Sequence, residues 1–303
     1  MIKNIRKIVP WLFAIMIISF SISIILFRSA GVNLKDFEDT DYNYSSFDEV
    51  KQIKGKFKED INDRRNFNIQ DINTLDINTI RADIRFIPEA RDDIEVHYHG
   101  SIASNKAFVL PELTTEVKNK TLQVKINHKN FNFTGFYSSS VDLDIYIPSK
   151  YSESIAVATT SGDINLGNLD IKNINVESVS GDIYAESLYT EKSYFKSISG
   201  EIELKDFKGE IGAKTTSGEL YINFKSLENN VNIDSISGEI EIDLPNDAEF
   251  YLKSKSTSGE IECDFPISIE GKFSDKNKNG RVGQKNNRIS ISTVSGDIEI
   301  SKK

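Results

Sequence analysis

Seven carboxylates stand at the same place in seven near-copies of one short sequence. Asp163, Asp182, Glu201, Glu219, Glu239, Glu260 and Asp297 each follow a Ser-Gly pair. The copies read ATTSGDINL from Ala158, ESVSGDIYA from Glu177, KSISGEIEL from Lys196, KTTSGELYI from Lys214, DSISGEIEI from Asp234, KSTSGEIEC from Lys255 and STVSGDIEI from Ser292. If the copies stack, their carboxylates lie about 4.8 Å apart. Neighbouring charges at that spacing repel by roughly 1 kcal/mol in water and several times more at a lower effective dielectric, so the column must face solvent. There it could hold divalent cations or a cationic polymer weakly. The preferred reading is structural, because an acid after Ser-Gly suits a turn and keeps an edge soluble. The nine-residue glycine-aspartate period of calcium-binding β-rolls is absent.

Other residues invite chemistry and supply less of it. His97 and His99 in VHYHG share one strand face and could clasp a metal, but with His128 the only other histidine and no carboxylate evidently paired, they read as surface groups. DKNKNGRV from Asp275 has Asp275, Asn277, Asn279 and Gly280 where a calcium loop has ligands and its turn. Position twelve, however, is Asn286 instead of a bidentate Glu, so a solvated loop is expected. The hydroxyl two residues before each motif serine (Thr159, Ser178, Ser197, Thr215, Ser235, Ser256, Thr293) could line a groove, though hydroxyls beside a corner ordinarily bond backbone. Phe131, Phe133, Phe136 and Tyr137 in HKNFNFTGFYSSS could form an exposed binding patch, and are read in preference as a plug over the open end of the stack. No catalytic constellation, metal-ligand set, cofactor motif or phosphate loop is recognised, so neither cofactor nor metal is expected.

The elements that position these residues follow from spacing. The motif glycines, Gly162, Gly181, Gly200, Gly218, Gly238, Gly259 and Gly296, are separated by 19, 19, 18, 20, 21 and 37 residues. Six and four residues before each motif serine the columns are mostly aliphatic. After the corner come Ile164, Ile183, Ile202, Leu220, Ile240, Ile261 and Ile298. Each repeat is therefore strand, corner, strand with one inward face. One repeat buries too few side chains to offset the entropy of ordering its chain, whereas stacked repeats share a continuous core, which is the logic of a solenoid. An antiparallel sandwich is the competing arrangement. The expected fold is all-β, a parallel β-solenoid of repeats about 19 residues long, preceded by the alternating strands of TLDINTIRADIRFI, DIEVHYHG, KTLQVKINH and VDLDIYIP. The double-length last step leaves residues 264–288 as either a degenerate rung or a loop.

Upstream, residues 8–27 (IVPWLFAIMIISFSISIILF) form an uncharged apolar run long enough to cross a bilayer. Lys3, Arg6 and Lys7 precede it, which places residues 1–7 in the cytoplasm by the positive-inside rule. The expectation is a single-pass cell-membrane protein that contacts the lipid bilayer through residues 8–27. A polar tether over 28–71 and an extracytoplasmic β-repeat domain over 72–303 would follow. Cleavage after SAG, Ser29 to Gly31, is disfavoured by the length of the run. A net charge of −9 argues against nucleic acid as a partner. The lone Cys263 rules out an internal disulfide.

The run from TLQVKI through DLDIYIPSKYSESIAVATTSGDI to ISISTVSGDIEI resembles the bacterial adhesin-like, domain-of-unknown-function family of β-strand repeats that includes LiaG-type envelope proteins. The resemblance spans about residues 72 to 303. It implies a β-repeat domain, often behind a membrane anchor, with envelope-stress or surface roles and no established catalytic residues to transfer. The functional expectation is binding or scaffolding at the cell envelope, with a cell-wall polymer or another membrane protein as partner. The alternative is a polysaccharide-acting enzyme on the same scaffold. Such enzymes break their repeat with a local acid-base cluster, whereas these acids recur equivalently on every repeat.

Overall fold

The computed structural model describes residues 57–104, 109–127, 137–269 and 274–303. Among them the only helical element is a 3-10 turn at Ile69–Asp71; everything else regular is strand. Alternation of apolar and polar residues drives the chain into strands with one face buried, and the repeat aligns those faces into two ladders.

The first ladder runs Thr121–Asn127, Thr74–Asn78, Ser154–Thr159, Asn168–Ser178, Ser187–Ser197, the end of Ile202–Thr215, Val231–Ser235, Arg288–Thr293 and Phe250–Ser256, each parallel to the next. The second runs Tyr137–Pro148, Asp83–Glu89, Ile164–Asn165, Ile183–Ala185, the start of Ile202–Thr215, Leu220–Phe224, Ile240–Leu244, Ile298–Lys302 and Ile261–Cys263, again parallel throughout. Parallel in-register stacking decides for the solenoid over the sandwich. Like residues meet along the core: Ile84, Ile164, Ile183, Ile202, Leu220, Ile240, Ile298 and Ile261 form one buried file. Where a core column carries serine, the hydroxyl finds backbone: Ser193 Oγ donates to the Glu210 carbonyl at 2.9 Å and Ser254 Oγ to the Lys278 carbonyl at 3.0 Å.

The corners stack by direct backbone contact. The N–H of Ser161 donates to the carbonyl of Ile80, Ser180 to Thr160, Ser199 to Val179, Ser217 to Ile198, Ser237 to Thr216, Ser295 to Ile236 and Ser258 to Val294. This chain of bonds defines eight stacked corners, one more than the seven Ser-Gly motifs. The extra rung is TLDINTIRADIRFI, whose Thr79, Ala82, Asp83 and Ile84 occupy the motif's hydroxyl, glycine, acid and first core positions. A Cβ added to Gly181 would lie 2.0 Å from the Gly162 carbonyl oxygen, and one on Gly200 2.1 Å from that of Gly181. The invariant corner glycine thus serves close rung-on-rung approach. Ala82, at the head of the file, is the one corner residue with a side chain.

The double-length step has a different cause from either expectation. The described residues of 264–288 form neither a lost rung nor a plain loop. Asn277–Val282 pairs antiparallel with the outer edge of Phe250–Ser256, and Ser268–Ile269 pairs antiparallel with it in turn. The solvated loop expected at Asp275 is therefore half strand, and Gly280 is needed where Ile267 Cγ2 and the Ser268 carbonyl oxygen both come within 2.4 Å of its missing Cβ. The chain then turns back and inserts its last repeat, Arg288–Thr293 and Ile298–Lys302, between the fifth and sixth Ser-Gly rungs. Spatial order at the far end is fifth, seventh, sixth.

At the near end both ladders finish antiparallel. Glu112–Lys118 closes the first as a hairpin with Thr121–Asn127, while Asp93–Ser104 and then Phe57–Asn68 extend the second. Phe57–Asn68 lies inside the span read as a polar tether, and this corrects that boundary. Its alternation is carried by Ile61, Asp63, Arg65 and Phe67, partly buried between exposed neighbours, and the two charged members hide the period. Residues 28–56 of the expected tether and the apolar run 8–27 lie outside the described residues, as do Phe131, Phe133 and Phe136; Tyr137 opens the strand Tyr137–Pro148. No helix among the described residues is long and apolar enough to cross a membrane.

Candidate functional site

Stacking the corners turns a one-residue feature into a surface. The residue between hydroxyl and serine in each motif is β-branched, and in spatial order the file reads Ile80, Thr160, Val179, Ile198, Thr216, Ile236, Val294 and Thr257. Its aliphatic members are 39% to 54% exposed. Beside it runs the serine file, and beyond that the acids. This ridge spans about 34 Å at about 4.8 Å per rung. Sequence columns could have shown it, since the position is β-branched in every copy, but the copies had to be ordered in space before it became continuous.

All seven sequence-selected acids, Asp163, Asp182, Glu201, Glu219, Glu239, Glu260 and Asp297, are exposed on this ridge. Asp83 of the extra rung joins them. Where the acid is Asp, its carboxylate also works locally: Asp83 Oδ1 accepts from the Asp163 N–H at 2.9 Å, Asp163 Oδ1 from Asp182 at 2.9 Å, Asp182 Oδ1 from Glu201 at 2.8 Å and Asp297 Oδ1 from Glu260 at 2.8 Å. Crowding of charge is felt at Glu201, whose pKa is raised by partial burial and then by Glu203, Asp182 and Glu219. Glu241, one strand position further, is raised by burial and by Asp243, Glu299 and Glu239. The hydroxyl file is buried and cannot line a groove; Ser178 Oγ donates to the Gly181 carbonyl at 2.7 Å, and Thr215 Oγ1 both donates to the Gly218 carbonyl at 3.1 Å and accepts from the Gly218 N–H at 3.0 Å.

A second cluster sits at the near end, on the outward face of Asp93–Ser104. His97 lies directly across from Asp144 of Tyr137–Pro148, and His99 from Asp142. His99 Nε2 is 2.8 Å from Asp144 Oδ2, the other oxygen of which accepts from Arg85 Nε at 2.8 Å. His97 Nε2 is 2.8 Å from Asn62 Oδ1 of the first strand. The two imidazoles stack with centroids 4.2 Å apart. Burial lowers the His97 pKa, with His99 and Arg64 adding to that against Asp144 and Glu95. Burial alone would push Asp144 up, but its bonds from Arg85 and His99 outweigh that and hold it below the usual carboxylate range. The histidines were expected to be surface groups lacking a carboxylate; the structure supplies one. The signal was present in VDLDIYIP, whose alternation puts Asp142 and Asp144 on one face, but only the pairing of the two strands brings them to the histidines.

These observations define an all-β protein of the parallel-solenoid class with a repetitive, solvent-facing corner ridge. The chain belongs to the Toastrack DUF4097 family, whose model matches residues 72–301. Solved structures with similar chain traces include a candidate cell-adhesion protein from Clostridium sporogenes at 14% identity, covering 81% of this chain and 100% of that one with a TM-score of 0.40. A candidate adhesin from Bacteroides fragilis is 15% identical over 82% of this chain and 98% of that one, TM-score 0.40. Another from Parabacteroides merdae is 12% identical over 79% and 95%, TM-score 0.42. No curated protein matches the sequence.

Proposed function

We propose that the protein is a membrane-anchored, extracytoplasmic binding module of the bacterial cell envelope, and that its corner ridge grips an extended cell-wall polymer. The carrying observation is the ridge itself: eight stacked corners, each offering a β-branched side chain and an exposed acid at one repeat distance, seven of them with a serine between and the first with Arg81 in its place. Equivalent weak sites at a fixed spacing suit a ligand that is itself repetitive, because each added contact becomes intramolecular once the first has formed. The apolar run 8–27 supports placement of the domain at the membrane surface. The same equivalence supports binding over turnover, since a glycan-cleaving centre is a local break in the repeat and the acids here recur on every rung.

The test is co-sedimentation of the full-length protein with purified cell-wall material, beside a variant carrying Val179→Ser, Ile198→Ser and Ile236→Ser. These residues are exposed, so the variant keeps its unfolding midpoint, and retention on the wall falls. Unchanged retention removes the ridge from the reading. Release of soluble sugar that a single point substitution abolishes would replace binding with catalysis.

A further inference from the structure

We propose that His97, His99 and Asp144 form a divalent transition-metal site of the zinc-binding kind, separate from the corner ridge. One ring nitrogen from each histidine and one Asp144 oxygen lie within 4.8 Å of one another. The donors come from a His-x-His pair on one strand and the residue directly opposite the first histidine on the antiparallel neighbour. Alternation along the strand puts both imidazoles on one face, and the pairing register puts the carboxylate beneath them. In a tetrahedral site with bonds of about 2.0–2.1 Å, donors stand about 3.4 Å apart, so a small closing movement of side chains is enough. His99 Nε2 and Asp144 Oδ2 are already 2.8 Å apart.

The buried histidine points to a ligand independently of this geometry. His97 is 7% exposed, and its Nδ1 has no hydrogen-bond partner. With Nε2 donating to the Asn62 carbonyl oxygen, Nδ1 carries the lone pair. A buried acceptor with nothing to accept is costly, and a cation is one way to satisfy it. Asn62 then plays the part of the outer hydrogen-bond partner that fixes the tautomer of a ligating imidazole, and Arg85, bonded to the opposite oxygen of Asp144, fixes the carboxylate. Two imidazole nitrogens and one carboxylate oxygen suit zinc far better than calcium or magnesium, which favour oxygen donors. With three protein donors, and His99 part-exposed, a fourth position is open to water or to a donor from a bound partner.

Binding would staple Asp93–Ser104 to Tyr137–Pro148 at the near end of the solenoid. As zinc enters, the hydrogen bond between His99 and Asp144 is replaced by two bonds to the metal; the Nε2 proton passes to solvent and a neutral ring takes one up at Nδ1, so that His99 binds as the neutral Nδ1–H tautomer.

The experiment uses the full-length protein, stripped with a chelator, and zinc ion alone as probe. Calorimetric titration at neutral pH is expected to show one saturable equivalent, and zinc is expected to raise the unfolding midpoint. Cobalt in its place is expected to give the visible absorption of a low-coordinate nitrogen and oxygen site. His99→Ala and Asp144→Asn are each expected to weaken zinc binding roughly tenfold or more, with His99→Gln as the companion variant should the alanine form misfold. His128→Ala, which alters the only other histidine in the chain, is expected to leave binding unchanged. Absence of a saturable equivalent overturns the proposal. So does binding that survives His99→Ala and Asp144→Asn in correctly folded protein, or binding that is lost with His128→Ala alone.

Discussion

The carbonyl oxygen of Gly238 lies 2.1 Å from the point where a Cβ on Gly296 would stand, and the Gly296 carbonyl oxygen lies 2.0 Å from the corresponding point on Gly259. The last repeat of the sequence is thus gripped on both sides by backbone. Its own glycine cannot accept a side chain without parting it from the rung below. Gly296→Ala is expected to destabilise the domain by about 1–3 kcal/mol or more through overpacking, read as a lower denaturant midpoint. Val179→Ala, on the exposed ridge, is expected to stay within about 0.5 kcal/mol. Equal effects from the two substitutions would remove the argument from close approach.

Placement of that repeat inside the stack sets its dynamics. A terminal rung normally frays, since one of its edges meets only water. Here Ile289 pairs with both Val231 and Leu252, and Ile298 with both Ile240 and Ile261. Hydrogen exchange is therefore expected to find the amides of residues 289–291 and 298–300 as slow as those of residues 240–242, although they belong to the C-terminal segment. Exchange at the rate of a frayed end would contradict the inserted order.

The repeat unit was legible in the sequence because each of its constraints is local. Strand alternation, the hydroxyl buried at the corner and the glycine that permits stacking all recur within nine letters. What escaped were features that depend on which rung meets which. The first rung was hidden because Ala82 replaces glycine where the file of corners begins, so its motif reads Arg-Ala-Asp. The inserted last repeat could not be read from a step of 37 residues, since spacing gives the length of a detour and says nothing of its route. Phe57–Asn68 was hidden by Asp63 and Arg65 on its inward side; Arg65 is held there by Asp63 and by the Leu113 carbonyl. The His97 and Asp144 pairing needed a long-range register that no local pattern carries.

Repulsion along the acid file has a signed consequence for pH. The folded-state pKa of Glu201 is raised by burial and by Glu203, Asp182 and Glu219. A carboxyl with a raised folded pKa binds its proton more readily in the folded protein, so its contribution favours folding below the unfolded value of about 4.3 and is lost as pH rises through the folded value. Glu201→Gln removes the charge. It is expected to raise the thermal midpoint modestly at pH 7, with the advantage over the parent shrinking as pH is lowered towards 4 and also in high salt. Thermal scans of both proteins at several pH values make the comparison, and an advantage independent of pH would show that charge is not its source.

Two members of the buried hydroxyl file differ in a way that separates bonding from packing. Thr215 Oγ1 donates to the Gly218 carbonyl oxygen at 3.1 Å and accepts from the Gly218 N–H at 3.0 Å. Thr293, at the same place in the inserted rung, is as buried, and its Oγ1 has no partner. Valine matches threonine in shape, so Thr215→Val strips both bonds and leaves buried backbone groups of the corner unpaired, at about 1–3 kcal/mol. Thr293→Val removes a hydroxyl that gains nothing from its surroundings, and is expected to be neutral or stabilising. Denaturant unfolding of the two variants beside the parent checks both expectations. Equal losses would mean that the file is held by the shape of its side chains alone, and the corner would then owe its stability to stacked glycine backbone and the core columns behind it.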